Sequence, residues 1–192
     1  VRVYCTTRTY VYGQQWGYSI WELQAYGTPA TLPPPAPPPT NLALGRPVVA
    51  SSIENSSYAA ANMVDGGTST RWSSAFSDPQ WIFVDLGSRF VLSQVVINWE
   101  TAFAAAYQLQ ISDDATTWTT FYSTSAGKGG TEMIAPSGAA TGRYVRVYCT
   151  TRTYVYGQQW GYSIWELQAY GTPCDNYPFL CILMRGNERR HS

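Results

Sequence analysis

Apolar and polar positions alternate cleanly over Tyr144-Val145-Arg146-Val147-Tyr148, the two-residue period of a strand with one wet face. Gln80-Trp81-Ile82-Phe83-Val84-Asp85-Leu86 alternates only in part, but it is β-branched and aromatic, and Gly87 ends it. Val91–Asn98, Tyr107–Ser112, Trp118–Tyr122 and Trp165–Tyr170 behave likewise, separated by Gly, Ser, Asp-Asp and Pro. Helical character reaches no further than one turn at Tyr58–Met63. About eight short strands in roughly 130 residues predict an all-β, two-sheet sandwich.

Residues 1–29 reappear letter for letter as residues 145–173. A structural repeat keeps only its apolar pattern, so complete identity points to a recent tandem duplication. The copy covers only the last two or three strands of the sandwich and is below the roughly 40 residues a domain needs to fold alone. The expected organisation is therefore a truncated end of a preceding identical module (1–29), a linker (30–40), a complete module (41–173) and an unmatched tail (174–192), all part of a longer multi-module polypeptide. The linker, ATLPPPAPPPT, reads as a semi-rigid polyproline II spacer. Residues 1–29 could stay disordered, add to a sheet edge, or displace 145–173 and give a strand-exchanged dimer.

Composition narrows the partners. Aromatic residues make up 15% of the chain and charged residues only 12%, with zero net charge. A nucleic acid or anionic membrane would reward a basic field that this chain lacks. The spacing of the four cysteines does not resemble a zinc site. Cys149 reads as a small buried hydrophobe, while Cys174 and Cys181 could close a short loop. The sole histidine, His191, lies in the tail, so no Ser-His-Asp or Cys-His set exists. Paired carboxylates such as Glu54 and Glu100 could in principle serve a glycosidase, but a small sandwich with loop-borne acids makes a better receptor than a cleft. The expectation is a protein that binds and does not catalyse.

Asp65 sits in a Gly-rich turn with Thr68, Ser69 and Thr70 close behind, an all-oxygen set of the kind Ca²⁺ prefers. An ordinary turn capped by Asp65 is the plainer alternative.

A chain of motifs runs through 41–171: Asn41-Leu42-Ala43-Leu44-Gly45-Arg46-Pro47, Val64-Asp65-Gly66, Thr70-Arg71-Trp72-Ser73-Ser74, Trp81–Gly87, Asn98-Trp99-Glu100, Tyr107–Ser112, Arg143–Arg146 and Trp165–Gly171. This pattern resembles the discoidin, or coagulation factor 5/8 type C, superfamily. Its nearest subgroup is the bacterial family 32 carbohydrate-binding modules attached to glycoside hydrolases. The resemblance implies an eight-stranded jelly-roll β-sandwich. It also implies a structural Ca²⁺ held by Asp65 and Glu166, the hydroxyl and carbonyl of Thr70, and carbonyls of Asn62 and Gly67. By position, the matching sugar-binding residues are Glu54, Arg71, Phe76, Glu100 with Tyr107 nearby, and Trp160 in the Gly-Gln-Gln-Trp-Gly loop.

Ser51–Asn55 and Asn98–Ala104 look like the modules appended to chitosan-degrading enzymes, and two acids at a binding mouth suit a cationic aminosugar. Phe76 stands where the family often has Tyr, and Gln158-Gln159-Trp160 enlarges the late loop. Trp72, Trp81, Trp99 and Trp165 are expected in the core, and Trp160, between Gly157 and Gly161, at the surface. Arg71 either touches sugar or braces Glu54 or Glu100. The resemblance implies a secreted, non-catalytic module that tethers a glycoside hydrolase to chitosan, glucosamine oligomers or β-glucan. The alternative is a cell-surface or membrane-adhesion discoidin domain, which would display apolar spikes ringed by Lys and Arg. Here only Arg152 stands near Tyr154, Val155, Tyr156 and Trp160.

Overall fold

The structure is a computed structural model. It describes residues 2–8, 10–15, 17–26 and 39–174. Most of the linker, and the tail beyond Cys174, lie outside these residues. The chain divides into two units, 1–37 and 38–192.

In the first unit, β1 (Tyr10–Val11) pairs antiparallel with β2 (Gln14–Gln15). The turn between them places Tyr12 at φ 53° and Gly13 at φ 76°, the positive pair that a two-residue hairpin of right-handed twist requires. The second copy repeats this turn, with Val155 bridged to Gln158 around Tyr156 at φ 51° and Gly157 at φ 80°. The turn is therefore dictated locally. The flanking segments are not: Ile20, Trp21 and Leu23 are 56%, 101% and 58% exposed, whereas the same letters at Ile164 and Leu167 are fully buried and Trp165 is half-buried.

The second unit holds β3 (Val48–Ala50), β4 (Trp72–Ser73), β5 (Gln80–Trp99), β6 (Ala104–Ser112), β7 (Thr119–Thr124), β8 (Thr131–Ile134), β9 (Thr141–Arg152) and β10 (Ser163–Pro173). All pairings are antiparallel, giving the expected β-sandwich. The turn read at Tyr58–Met63 resolves into two 3-10 segments, Ser56–Tyr58 and Ala60–Val64.

Two expected strands, Gln80–Leu86 and Val91–Asn98, are one. β5 continues through Gly87 and serves both layers. Its first part pairs with β3 and β9, and its second with β10 and β8. Its inward positions are even-numbered from Gln80 to Leu92 and become Val95, Ile97 and Trp99 thereafter, apart from nearly buried Val96. The register of β10 against β5 shifts between Tyr170 and Gly171, opposite Gln94 and Leu92. One extra residue in a two-residue period reverses the face, so this bulge accounts for the phase change.

The core gathers Met63, Trp72, Tyr107, Leu109, Tyr162, Ile164 and Leu167 with the inward residues of β5 and β9. Trp72 and Trp99 are buried as expected, but Trp81 and Trp165 are not core residues: both are half-buried on outward faces. Trp81 alternates with fully buried Ile82, so the pleat sends it out, where it stacks on Phe83 at 5.7 Å. Arg146 continues this outer face, its guanidinium 4.0 Å above the Trp118 ring and its Nε donating to Gln110. Cys149 is buried and free, Cys5 exposed and free, and Cys174 disulfide-bonded. Cys181 lies outside the described residues. Among the described residues, no helix is long and apolar enough to cross a membrane.

Candidate functional site

Two loop systems around the start of β10 carry the candidate chemistry. In the first, the 3-10 segment Ala60–Val64 delivers Asp65 into a turn in which Gly66 takes φ +79°. The Gly67 N–H donates to Asp65 Oδ1 at 2.7 Å and the Thr70 hydroxyl to Asp65 Oδ2 at 2.6 Å. A Cβ on Gly67 would stand 2.8 Å from Thr70 Oγ1 and 2.9 Å from Asp65 Oδ1, so a side chain there would displace these oxygens. β10 brings Glu166 to the same turn, 4% exposed, with the Gly66 N–H donating to Oε2 at 3.2 Å. Glu166 Oε1 is buried with no hydrogen-bond partner. Burial raises the Glu166 pKa to about 7, with the Gly66 amide opposing and Asp65 reinforcing the shift.

A buried carboxylate with an orphan oxygen beside a second carboxylate is satisfied either by a proton or by a cation. The donor set is two carboxylates plus hydroxyl and carbonyl oxygens, which fits a hard ion such as Ca²⁺. Among the described residues no group of three or more His, Cys, Asp or Glu side chains gathers. The Asn62 side-chain amide donates to the Ser57 and Arg71 carbonyls.

The second system is a mouth built on β4 and β10. Ser163, fully buried, ties its parts together. Its hydroxyl accepts from Arg71 Nη1 at 2.6 Å and its carbonyl accepts the Glu100 N–H at 3.0 Å. Glu54 is exposed, and its N–H is anchored on the Ser73 carbonyl at 2.7 Å. The Glu100 carboxylate accepts from the Thr101 hydroxyl and the Ala102 amide. Burial alone would raise its pKa, but these donors, the Thr101 amide and the Arg71 charge together hold it below the usual carboxylate range. Glu100 is thus a fixed, ionised acceptor.

Arg71 lies 3.9 Å over the Tyr58 ring and 5.9 Å from Trp165. It is held by Ser163 and Tyr58 and not by a hydrogen bond to either glutamate. Phe76 and Trp160, 48% and 43% exposed, meet edge to face at 5.7 Å. Gly161 permits this approach, since a Cβ there would fall 2.1 Å from the Ser74 carbonyl and 3.1 Å from Phe76.

Tyr107 does not belong to this mouth. It is fully buried, packed on Trp99 and Tyr122, with its hydroxyl donating to Glu132. The alternation Tyr107-Gln108-Leu109-Gln110-Ile111 already puts it on the face of Leu109 and Ile111. Tyr58 and Ser163, which hold Arg71, are additions that no sequence motif marked.

The F5/8 type C family model described as a NedA-like, galactose-binding domain matches residues 62–147. Among solved structures, chitosan-binding module 1 of the chitosanase/glucanase from Paenibacillus sp. IK-5 is 46% identical, with a TM-score of 0.64, covering 69% of this chain and 99% of that module. Module 2 of the same enzyme, solved in complex with chitotriose, is 44% identical with a TM-score of 0.64, covering 68% of this chain and all of that one. Of curated proteins, a polysaccharide lyase 8 family protein, HylA, of Enterococcus faecalis is 34% identical over 67 residues, which are 35% of this chain and 5% of that protein.

Proposed function

Since the chain belongs to the F5/8 type C, or discoidin-like, family, we propose that its module binds oligosaccharide without catalysing a reaction, and that its ligand is a glucosamine oligomer or chitosan-like polymer. One observation carries this reading: two loop-borne carboxylates, Glu54 and Glu100, accompany an exposed aromatic pair in a chain 44% identical to a module solved with chitotriose. The rings of Phe76 and Trp160 offer surface to the C–H side of a pyranose. Glu100, ionised and fixed by its neighbours, would accept from an ammonium in a charge-assisted hydrogen bond. Glu54, exposed on the loop before β4, would be a second such acceptor. Asp65, Glu166, the Thr70 oxygens and the Asn62 and Gly67 carbonyls would hold a structural Ca²⁺ that fixes the turn below the mouth. The parent protein, on this reading, is a secreted glycoside hydrolase or a related polysaccharide-degrading enzyme.

Titration calorimetry of the full chain in calcium against glucosamine trimers and neutral β-glucan oligomers tests the proposal. Binding to the cationic trimer should weaken at least about tenfold, near 1.4 kcal/mol, in Glu100→Ala. Heat with the neutral glucan alone, unaffected by Glu100→Ala or Glu54→Ala, would reassign the ligand. A membrane-adhesion role draws on Tyr154 and Tyr156, 73% and 97% exposed at the late-loop tip. The neighbouring cation, Arg152, is already paired with Asp78. Salt-dependent liposome binding without sugar retention would favour that role.

A further inference from the structure

The loop between β9 and β10 carries Trp160, and its letters occur twice in the chain. Both copies form the same tyrosine-glycine turn, so the turn needs nothing beyond its own sequence. Its seating does. Arg8, Gln15 and Tyr18 are exposed, whereas their counterparts Arg152 and Gln159 are half-buried and Tyr162 fully buried. Whatever seats the loop lies outside the 29 repeated residues.

The group that meets both ends of the seated loop is the carboxylate of Asp78. The Tyr162 hydroxyl, just before β10, donates to Asp78 Oδ1. Arg152, at the end of β9, donates through Nε to Oδ1 at 3.2 Å and Oδ2 at 3.3 Å. Arg152 then closes the loop on itself: its Nη1 donates to the Gln159 carbonyl at 3.2 Å, and Gln159 Nε2 returns to the Arg152 carbonyl at 3.4 Å. Gln159 is the residue before Trp160, and Asp78 stands two residues after Phe76. One carboxylate thus joins the loop that carries each ring of the edge-to-face pair.

We propose that Asp78 is a positioning residue of the sugar mouth, setting the Phe76–Trp160 pair through Tyr162 and Arg152. The inference rests on the proposed sugar-binding role of that mouth. A carboxylate suits the task because it accepts from both donors at once, and the Arg152 side chain, 13% exposed, needs a countercharge. An amide of the same shape keeps one oxygen for the two donors but sets its N–H₂ against Arg152 Nε where Oδ2 stood, and it removes the countercharge.

The test is an Asp78→Asn variant of the full chain, followed by the indole N–H resonance of Trp160, identified by its loss in Trp160→Phe, and by affinity for a glucosamine trimer. The expected result is a shifted or broadened Trp160 indole signal with the Trp72 and Trp99 signals unchanged. Affinity should fall about tenfold, with partial recovery of both readouts in Asp78→Glu. An unmoved Trp160 signal, or equal disturbance of all three indoles, overturns the proposal. If the native chain binds no trimer, the sugar-binding reading fails, and the Trp160 signal in Asp78→Asn still decides whether Asp78 positions the loop.

Discussion

Raising the pH of the calcium-free protein from 5 to 8 should destabilise it by about 2–3 kcal/mol, lowering the melting temperature by roughly 10 °C. The cause is Glu166, whose carboxyl has an ordinary pKa of 4.5 when unfolded and about 7 when buried in the native turn. The folded state therefore holds this proton more tightly. Its contribution is fully present below pH 4.5 and is lost as the pH rises through 7. Asp85, lowered by the Arg143 pair, and Glu100 run the other way: their stabilisation is present above their unfolded values of 3.8 and 4.5 and is lost in acid. The interval from 5 to 8 thus isolates Glu166.

Saturating calcium should abolish or invert the slope, because an ion that binds the charged pair adds stability in proportion to the logarithm of its concentration over its Kd. Glu166→Gln supplies the decisive comparison by thermal denaturation. The variant should lose the pH slope and the calcium response together, and should exceed the native chain in stability at pH 8 without metal. A calcium response that survives Glu166→Gln would place the ion elsewhere.

Leu23→Ala and Leu167→Ala should differ by about 3 kcal/mol although the two leucines occupy the same place in identical segments, 1–29 and 145–173. Leu167 is fully buried in the core of the sandwich, so its truncation leaves a cavity as well as removing transfer energy. Leu23 is 58% exposed, and its truncation should change unfolding by less than about 0.5 kcal/mol. Urea denaturation followed by near-ultraviolet dichroism measures both. Equal losses would mean that residue 23 is packed in solution as residue 167 is.

The fold and the oxygen-rich turn at Asp65 are largely legible in the sequence because both depend on short-range pattern. Alternating residues announce a strand, and Asp65 among glycines and hydroxyls announces a turn rich in oxygen. What alternation leaves open is which face turns inward, and a single residue taken alone does not decide it. Asp85, on the face of Trp81 and Phe83, marks that face as outward, and Leu109 and Ile111 mark the face of Tyr107 as inward. The bulge opposite Gln94 has no such marker, since it arises from the mismatch of β5 and β10 and belongs to neither. Asp78, Tyr58 and Ser163 were invisible for a further reason. Their importance comes from partners 84, 13 and 92 positions away, respectively, distances at which no local periodicity speaks.

The doubled segment also turns the chain into a reporter of its own folding. An antibody raised against the linear peptide Val-Tyr-Cys-Thr-Thr-Arg, which occurs at 3–8 and again at 147–152, would meet one accessible epitope in the native chain. Val3, Tyr4 and Cys5 lie open to it, while Val147 and Cys149 are fully enclosed. Denaturation would release the second epitope and double the antibody bound per chain. A ratio of two immunoassays, taken before and after heating, would then give the folded fraction in a crude extract with no tag, dye or sugar ligand.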